Sequence, residues 1–141
     1  MFRRIMAIVL TLVLLSGVIV SASAAIPETV APLWNYTNSL YAGLPTIDPA
    51  TSIADCCSTI AAKQYLPVKV VCELQWYVGG LWATIKSWEA AGTRQTGVQN
   101  YHAVNPGYWY RVKTTGYVYS SNNVLLETST VTTQEQYFSG K

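Results

Sequence analysis

Charge and imidazole are scarce in this chain. Only 11% of its 141 residues are charged, and His102 is the only histidine. A Ser-His-Asp or Cys-His device would have to use that one ring. Its neighbours are Tyr101 and Ala103, with neither Asp48 nor Asp55 beside it, so His102 reads as a plain edge-strand residue. No phosphate-cradling loop is present; Gly79-Gly80 is a hairpin signal. Glu73 and Glu127 fit outward salt bridges with Lys69, Arg111 or Lys113 better than a glycosidase carboxylate pair. These absences point to a protein that is not an enzyme and needs no cofactor.

Cysteine is equally sparse: Cys56, Cys57 and Cys72, with no histidine beside them, make a poor zinc site. A bond between the neighbours Cys56 and Cys57 is strained. In an exported chain the plausible bridge joins Cys72 to Cys56 or to Cys57. Three small buried thiols are the alternative, and the residues leave both open. The formal net charge of +2 comes wholly from Arg3 and Arg4. The rest carries seven bases (Lys63, Lys69, Lys86, Arg94, Arg111, Lys113, Lys141) and seven acids (Glu28, Asp48, Asp55, Glu73, Glu89, Glu127, Glu135). That balance gives no electrostatic footprint for nucleic acid.

Long apolar runs are limited to one, Ile5 to Val20. It follows the basic Arg3-Arg4 and leads into the small residues Ser21-Ala22-Ser23-Ala24-Ala25. It is shorter than the roughly 20 residues a spanning helix needs, and the layout is that of a cleavable signal peptide helix over residues 1–25. The expected product is secreted and meets a membrane only through that peptide before cleavage. About 115 residues would remain, one domain's worth.

What is abundant is tyrosine and tryptophan, 10 and 5 residues, against a single phenylalanine, Phe138, beyond residue 25. Such side chains suit half-wet surfaces. Residues 26–50 hold Pro27, Pro32, Pro45 and Pro49 and read as an irregular lead-in with short extended pieces, a first strand falling within 33–47. Asn35-Tyr36-Thr37 has the form of a glycosylation sequon. Residues 51–138 read as a β-sandwich. Ala54, Cys56, Ser58 and Ile60 share a face. Val68, Val70, Cys72, Leu74 and Trp76 form the clearest period-two row in the chain. Leu81 to Glu89 returns from Gly79-Gly80, and Ala90-Ala91-Gly92 is expected to end it. A weaker strand follows around Val98 to Val104, and Asn105-Pro106-Gly107 turns the chain. Tyr108 to Ser120 is a long strand, Asn122-Asn123 a turn, and Val124 to Thr133 the last strand, with a frayed tail from Gln134.

About seven antiparallel strands result, the pattern of an immunoglobulin- or fibronectin-like sandwich. Trp76 takes the place of a core tryptophan, with an expected cost of roughly 3–5 kcal/mol on truncation to Ala. Tyr108 or Tyr110 takes that of a tyrosine corner. Along the outward face of the long strand lie Trp109, Arg111, Lys113, Tyr117 and Tyr119, joined from the paired strand by Tyr77 and Gln75. Such a row either stacks on sugar rings or anchors a partner, or is a cross-strand ladder that stabilises the sheet.

Three features together resemble one family. They are Trp82, Ile85 and Trp88 after Gly79-Gly80; Gly107 with Tyr110-Arg111-Val112 and Gly116-Tyr117-Val118-Tyr119; and Glu127-Thr128. Behind a signal peptide, this is similar to small secreted bacterial β-sandwich proteins, mainly Gram-positive, without an assigned function. The resemblance covers roughly residues 34–138. It implies an exported, non-enzymatic β-domain and carries no catalytic residues; the set Cys56, Cys57 and Cys72 departs from it. The expected role is extracellular recognition or adhesion, with a cell-wall polymer, a glycan or an extracellular protein as partner. The alternatives are a bacteriocin-like antimicrobial protein, or a protease inhibitor presenting Asn105-Pro106-Gly107 or residues 90–97.

Overall fold

Period-two alternation places one side chain in two between a pair of sheets. In a computed structural model, which describes residues 33–141, Ala54, Cys56, Ser58 and Ile60 are all buried, as are Val68, Val70, Cys72 and Leu74. So are Tyr110, Val112, Thr114 and Val118. Nine strands form among the described residues: β1 Thr37–Ala42, β2 Thr46–Asp48, β3 Ile53–Ala62, β4 Pro67–Val78, β5 Leu81–Thr93, β6 Gln95–Ala103, β7 Tyr108–Tyr119, β8 Leu125–Thr132 and β9 Gln136–Phe138. They make two antiparallel sheets, an all-β sandwich. The expected signal-peptide helix lies outside the described residues.

In the first sheet, β3 pairs with β6 along one edge, while β1 and β2 share the other. The short extended pieces of the proline-rich stretch are thus hydrogen-bonded sheet members. In the second sheet the order is β5-β4-β7-β8, and β9 pairs with the start of β7 beside β8. Thr133 bridges the gap between β8 and β9: its hydroxyl accepts from the Val112 N–H at 3.0 Å, and its own N–H donates to the Val112 carbonyl at 2.9 Å.

Two expected strand ends move. Ala90-Ala91-Gly92 does not stop β5, which continues to Thr93 because those residues still pair with Pro67 to Val70. Gly92 serves a close approach instead: a Cβ there would lie 2.8 Å from the Gln95 carbonyl oxygen. Arg94 alone, with φ of 67°, carries the chain from β5 to β6 and so from one sheet to the other. Nor does the tail fray at Gln134. Phe138 is buried in the core, and Gly107 N–H donates to its carbonyl at 2.7 Å, so β8 is not the last strand.

The interior holds two apolar clusters. One gathers Cys56, Cys72, Leu74, Tyr110, Val112 and Phe138; the other Leu40, Ile60, Val68, Val70 and Val118. Ser58 and Thr114 hydrogen-bond to each other between the sheets, so neither buried hydroxyl is orphaned. Tyr110 fills the tyrosine position after the turn: its hydroxyl donates to the Asn105 carbonyl at 2.7 Å and accepts from the Asn105 N–H at 3.1 Å. Tyr108 instead packs on Trp76, ring centroids 4.7 Å apart. Trp76 is only half-buried at the edge of its cluster, because it is the last β4 residue paired to β7. The expected cost of Trp76→Ala therefore falls from the full-burial range to about 2 kcal/mol. Urea denaturation at constant m-value would read it.

Candidate functional site

The outward row of β7 is a ladder with β4 along most of its length. Arg111 faces Gln75, Lys113 faces Glu73, Thr115 faces Val71 and Tyr117 faces Lys69. Arg111 Nε donates to Gln75 Oε1 at 2.9 Å, Gln75 Nε2 donates to the Thr84 hydroxyl at 3.1 Å, and that hydroxyl donates to Glu73 at 2.9 Å. Lys113 pairs with Glu73 at 3.4 Å. At the far end Tyr117 stacks near Tyr119, centroids 6.5 Å apart, and Lys69 Nζ sits 5.4 Å from the Tyr117 ring centre. Trp109 and Tyr117 are separated by roughly 26 Å of strand, at about 3.3 Å per residue. The expected row is thus divided. Lys113 is engaged in the middle, and Tyr117 and Tyr119 belong to a separate group.

The structure instead assembles aromatic side chains across the strands. Tyr77 pairs with Trp82 on β5, and Trp109 pairs with Tyr137 on β9. Trp76 and Tyr110 close the β4–β7 ladder, so Tyr77 and Trp109 occupy the next position on the outer face. The result is one aromatic per strand in the order Trp82, Tyr77, Trp109, Tyr137. At about 4.8 Å between strands, the strip is roughly 14 Å long. The rings of each pair are 5.3 Å apart and tilted by 51° and 53°. Tyr77, Trp109 and Tyr137 are 43%, 45% and 50% exposed, so these aromatics face solvent.

Tyr77, Trp82, Trp109 and Glu135 line a cleft of about 400 Å³. The Arg111 guanidinium carbon lies 4.2 Å from the Trp82 ring centre, a cation–π contact fixed by Gln75. Among the described residues Glu135 has no salt-bridge or side-chain hydrogen-bond partner. A larger cleft, about 490 Å³, lies along β3 and β6, but Ser39, Thr59, Ile60, Ala61, Gln95, Thr96 and Gly97 bring it neither ring nor charge.

Trp109, Arg111 and Tyr77 are the expected residues that the structure brings together; Trp82, Tyr137 and Glu135 are the ones sequence reasoning missed. Trp82 and Trp88 are six residues apart, so strict alternation puts both on one face. A bulge intervenes: Leu74 faces Lys86 and Gln75 faces Thr84, leaving Ile85 without a ladder partner. That extra residue reverses the alternation. Trp88 packs inward opposite Cys72, its ring 6.4 Å from His102, and Trp82 points out. Tyr137 and Glu135 sat in the tail expected to fray.

The remaining candidates for chemistry are held in other roles. Cys56 and Cys72 are buried, Cys57 is partly exposed, and all three are free thiols in the structure. Burial above all, with Cys72 and Asp55 nearby, pushes the Cys56 thiol up to about 12. It is protonated at neutral pH and unsuited to nucleophilic attack. Burial raises Cys72 as well, partly offset by a hydrogen bond with Ser58. Among the described residues no group of His, Cys, Asp and Glu is arranged to hold a metal ion. Asp55 is held by Gln99 at 2.8 Å, and Asp48 caps its own turn through Ala50 N–H at 2.9 Å and the Thr51 hydroxyl at 2.8 Å.

Among the described residues Glu127 has no salt-bridge partner. Its carboxylate accepts from the N–H groups of Asn35, Tyr36 and Thr37 and from the Thr37 hydroxyl, at 2.7, 3.1, 2.7 and 2.7 Å. Residues 90–97 offer no loop, since they are strand on both sides of Arg94. In comparison with known proteins, the chain matches no family model and no curated protein sequence.

Proposed function

We propose that this chain is a secreted, non-enzymatic recognition or adhesion module, and that the transverse aromatic strip is its binding surface. The observation that carries the reading is the cleft formed by Tyr77, Trp82, Trp109 and Glu135 on an otherwise ladder-like sheet face. Exposed Tyr77, Trp109 and Tyr137 and half-buried Trp82 serve the core little, and they supply large contact area at low entropic cost to a partner. A fibronectin- or immunoglobulin-type domain is the finer reading of the sandwich. The order β5-β4-β7-β8 opposite β3 and β6, and the Tyr110 hydroxyl returning to Asn105, support it. Export follows from the Arg3-Arg4, Ile5-to-Val20 and Ala22-Ser23-Ala24 pattern. Partners of this class are a cell-wall polymer, a glycan or an extracellular protein.

Co-sedimentation of residues 26–141 with bacterial cell walls tests this. Saturable binding is expected, and Trp109→Ala should abolish it while the melting temperature stays within a few degrees of the parent, since Trp109 is half-exposed. Undiminished binding by the variant, or no binding by the parent, would overturn the assignment.

A further inference from the structure

The recognition reading is the premise here, and the chemistry of the strip narrows its ligand. From that chemistry we infer that the cleft takes an uncharged, hydroxyl-rich glycan chain rather than a charged polymer or a protein anchor. The four rings Trp82, Tyr77, Trp109 and Tyr137 stand side by side, one per strand, in a shallow strip longer than a single sugar ring. A protein hot spot needs an enclosed pocket for an inserted anchor. The lining of this cleft is aromatic apart from one carboxylate, with no aliphatic wall to enclose such an anchor.

The C–H face of a sugar ring needs the apolar face of one aromatic ring, which each of these mutually tilted rings offers separately, and its hydroxyls need donors and acceptors at the rim. Both are present. Glu135 supplies acceptor oxygens, and Arg111, tied to Gln75 through Nε alone, keeps its Nη donors without a protein partner among the described residues. Glu135 lines the cleft and Arg111 lies beside it against Trp82, so one negative and one positive group oppose each other there and neither a polyanion nor a polycation is favoured by the pair. Arg111 is also held over Trp82 by Gln75 before any ligand arrives, which limits the ordering cost of binding.

Titration of residues 26–141 with cellohexaose, mannohexaose and the β-1,4-linked hexamer of N-acetylglucosamine, followed by tryptophan fluorescence, tests the inference. Binding of at least one is expected, with an affinity unchanged when the salt concentration is raised. Trp82→Ala, Tyr77→Ala and Trp109→Ala should each weaken it about tenfold or more. Tyr119→Ala, at the other end of the face, should leave it intact, and circular dichroism would confirm that every variant is folded. Binding that depends on Tyr119 and survives Trp82→Ala would overturn the inference. So would binding only to an anionic wall polymer, lost at high salt. If cell walls are bound but none of the three hexamers is, the uncharged-glycan inference falls and the recognition reading stands; if walls are not bound either, both fall.

Discussion

Tyr110→Ala is expected to destabilise the fold by about 3–5 kcal/mol, and Tyr110→Phe by about 1–2 kcal/mol. The ring is fully buried among Cys56, Cys72, Leu74, Val112 and Phe138, so truncation leaves a large cavity. The hydroxyl adds a second, separable contribution. It satisfies both backbone groups of Asn105 and holds the Asn105-Pro106-Gly107 turn against the start of β7. A domain of this size is stable by only about 5–15 kcal/mol, so the alanine variant lies near the limit of folding. Urea denaturation monitored by circular dichroism would read both values. A Phe variant as stable as the parent would show that the hydroxyl bonds are matched by water in the unfolded chain.

Glu127→Ala is expected to cost about 2–3 kcal/mol, more than any surface ion pair in the molecule. Its carboxylate ties residues 35–37, ahead of and within β1, to β8, and so joins the edges of the two sheets. Loss of the carboxylate strands the Thr37 hydroxyl with only Ser129, at 3.3 Å, as a side-chain partner. Burial by itself would raise the carboxyl pKa, but the Thr37 hydroxyl and the N–H groups of Asn35, Thr37 and Tyr36 outweigh it and hold the group below its ordinary 4.5. A carboxylate lowered on folding stabilises fully above its unfolded pKa. Its contribution then declines as the pH falls through the lower, folded-state value. The stability gap between the parent and Glu127→Gln should therefore be widest at neutral pH and close in acid. Thermal melts at pH 7 and in the acid range would show it. A gap that persists in acid would mean that the carboxylate acts through shape and not through charge.

The strands were legible because alternation is a local signal. Ala54, Cys56, Ser58 and Ile60, or Val68, Val70, Cys72 and Leu74, carry their inward direction in their spacing, and every one of them is buried. Trp82 was absent from the expected surface for the complementary reason. A single unpaired residue, Ile85, reverses the alternation, and nothing in the spacing of Trp82 and Trp88 announces it. The tail misled in the same way. Gln134 and Glu135 read as polar fraying, yet three residues on, Phe138 fills a core position and brings Tyr137 beside Trp109.

Glu127 and Lys113 show the limit for charged groups. Both lie on strands where outward salt bridges were expected. Lys113 found one in Glu73, its cross-strand neighbour. Glu127 found the backbone of a segment some 90 positions earlier in the chain, as the separations of 90 to 92 residues between partners show.

By itself, the sequence determined an all-β architecture, the inward rows of β3, β4 and β7, the hairpin at Gly79-Gly80 and the turn at Gly107, because period and turn chemistry act between near neighbours. Only the tertiary structure decided that the aromatic surface runs across four strands. Lateral neighbours depend on register, on the bulge at Ile85 and on the return of β9, and each of these is set by pairing between distant segments.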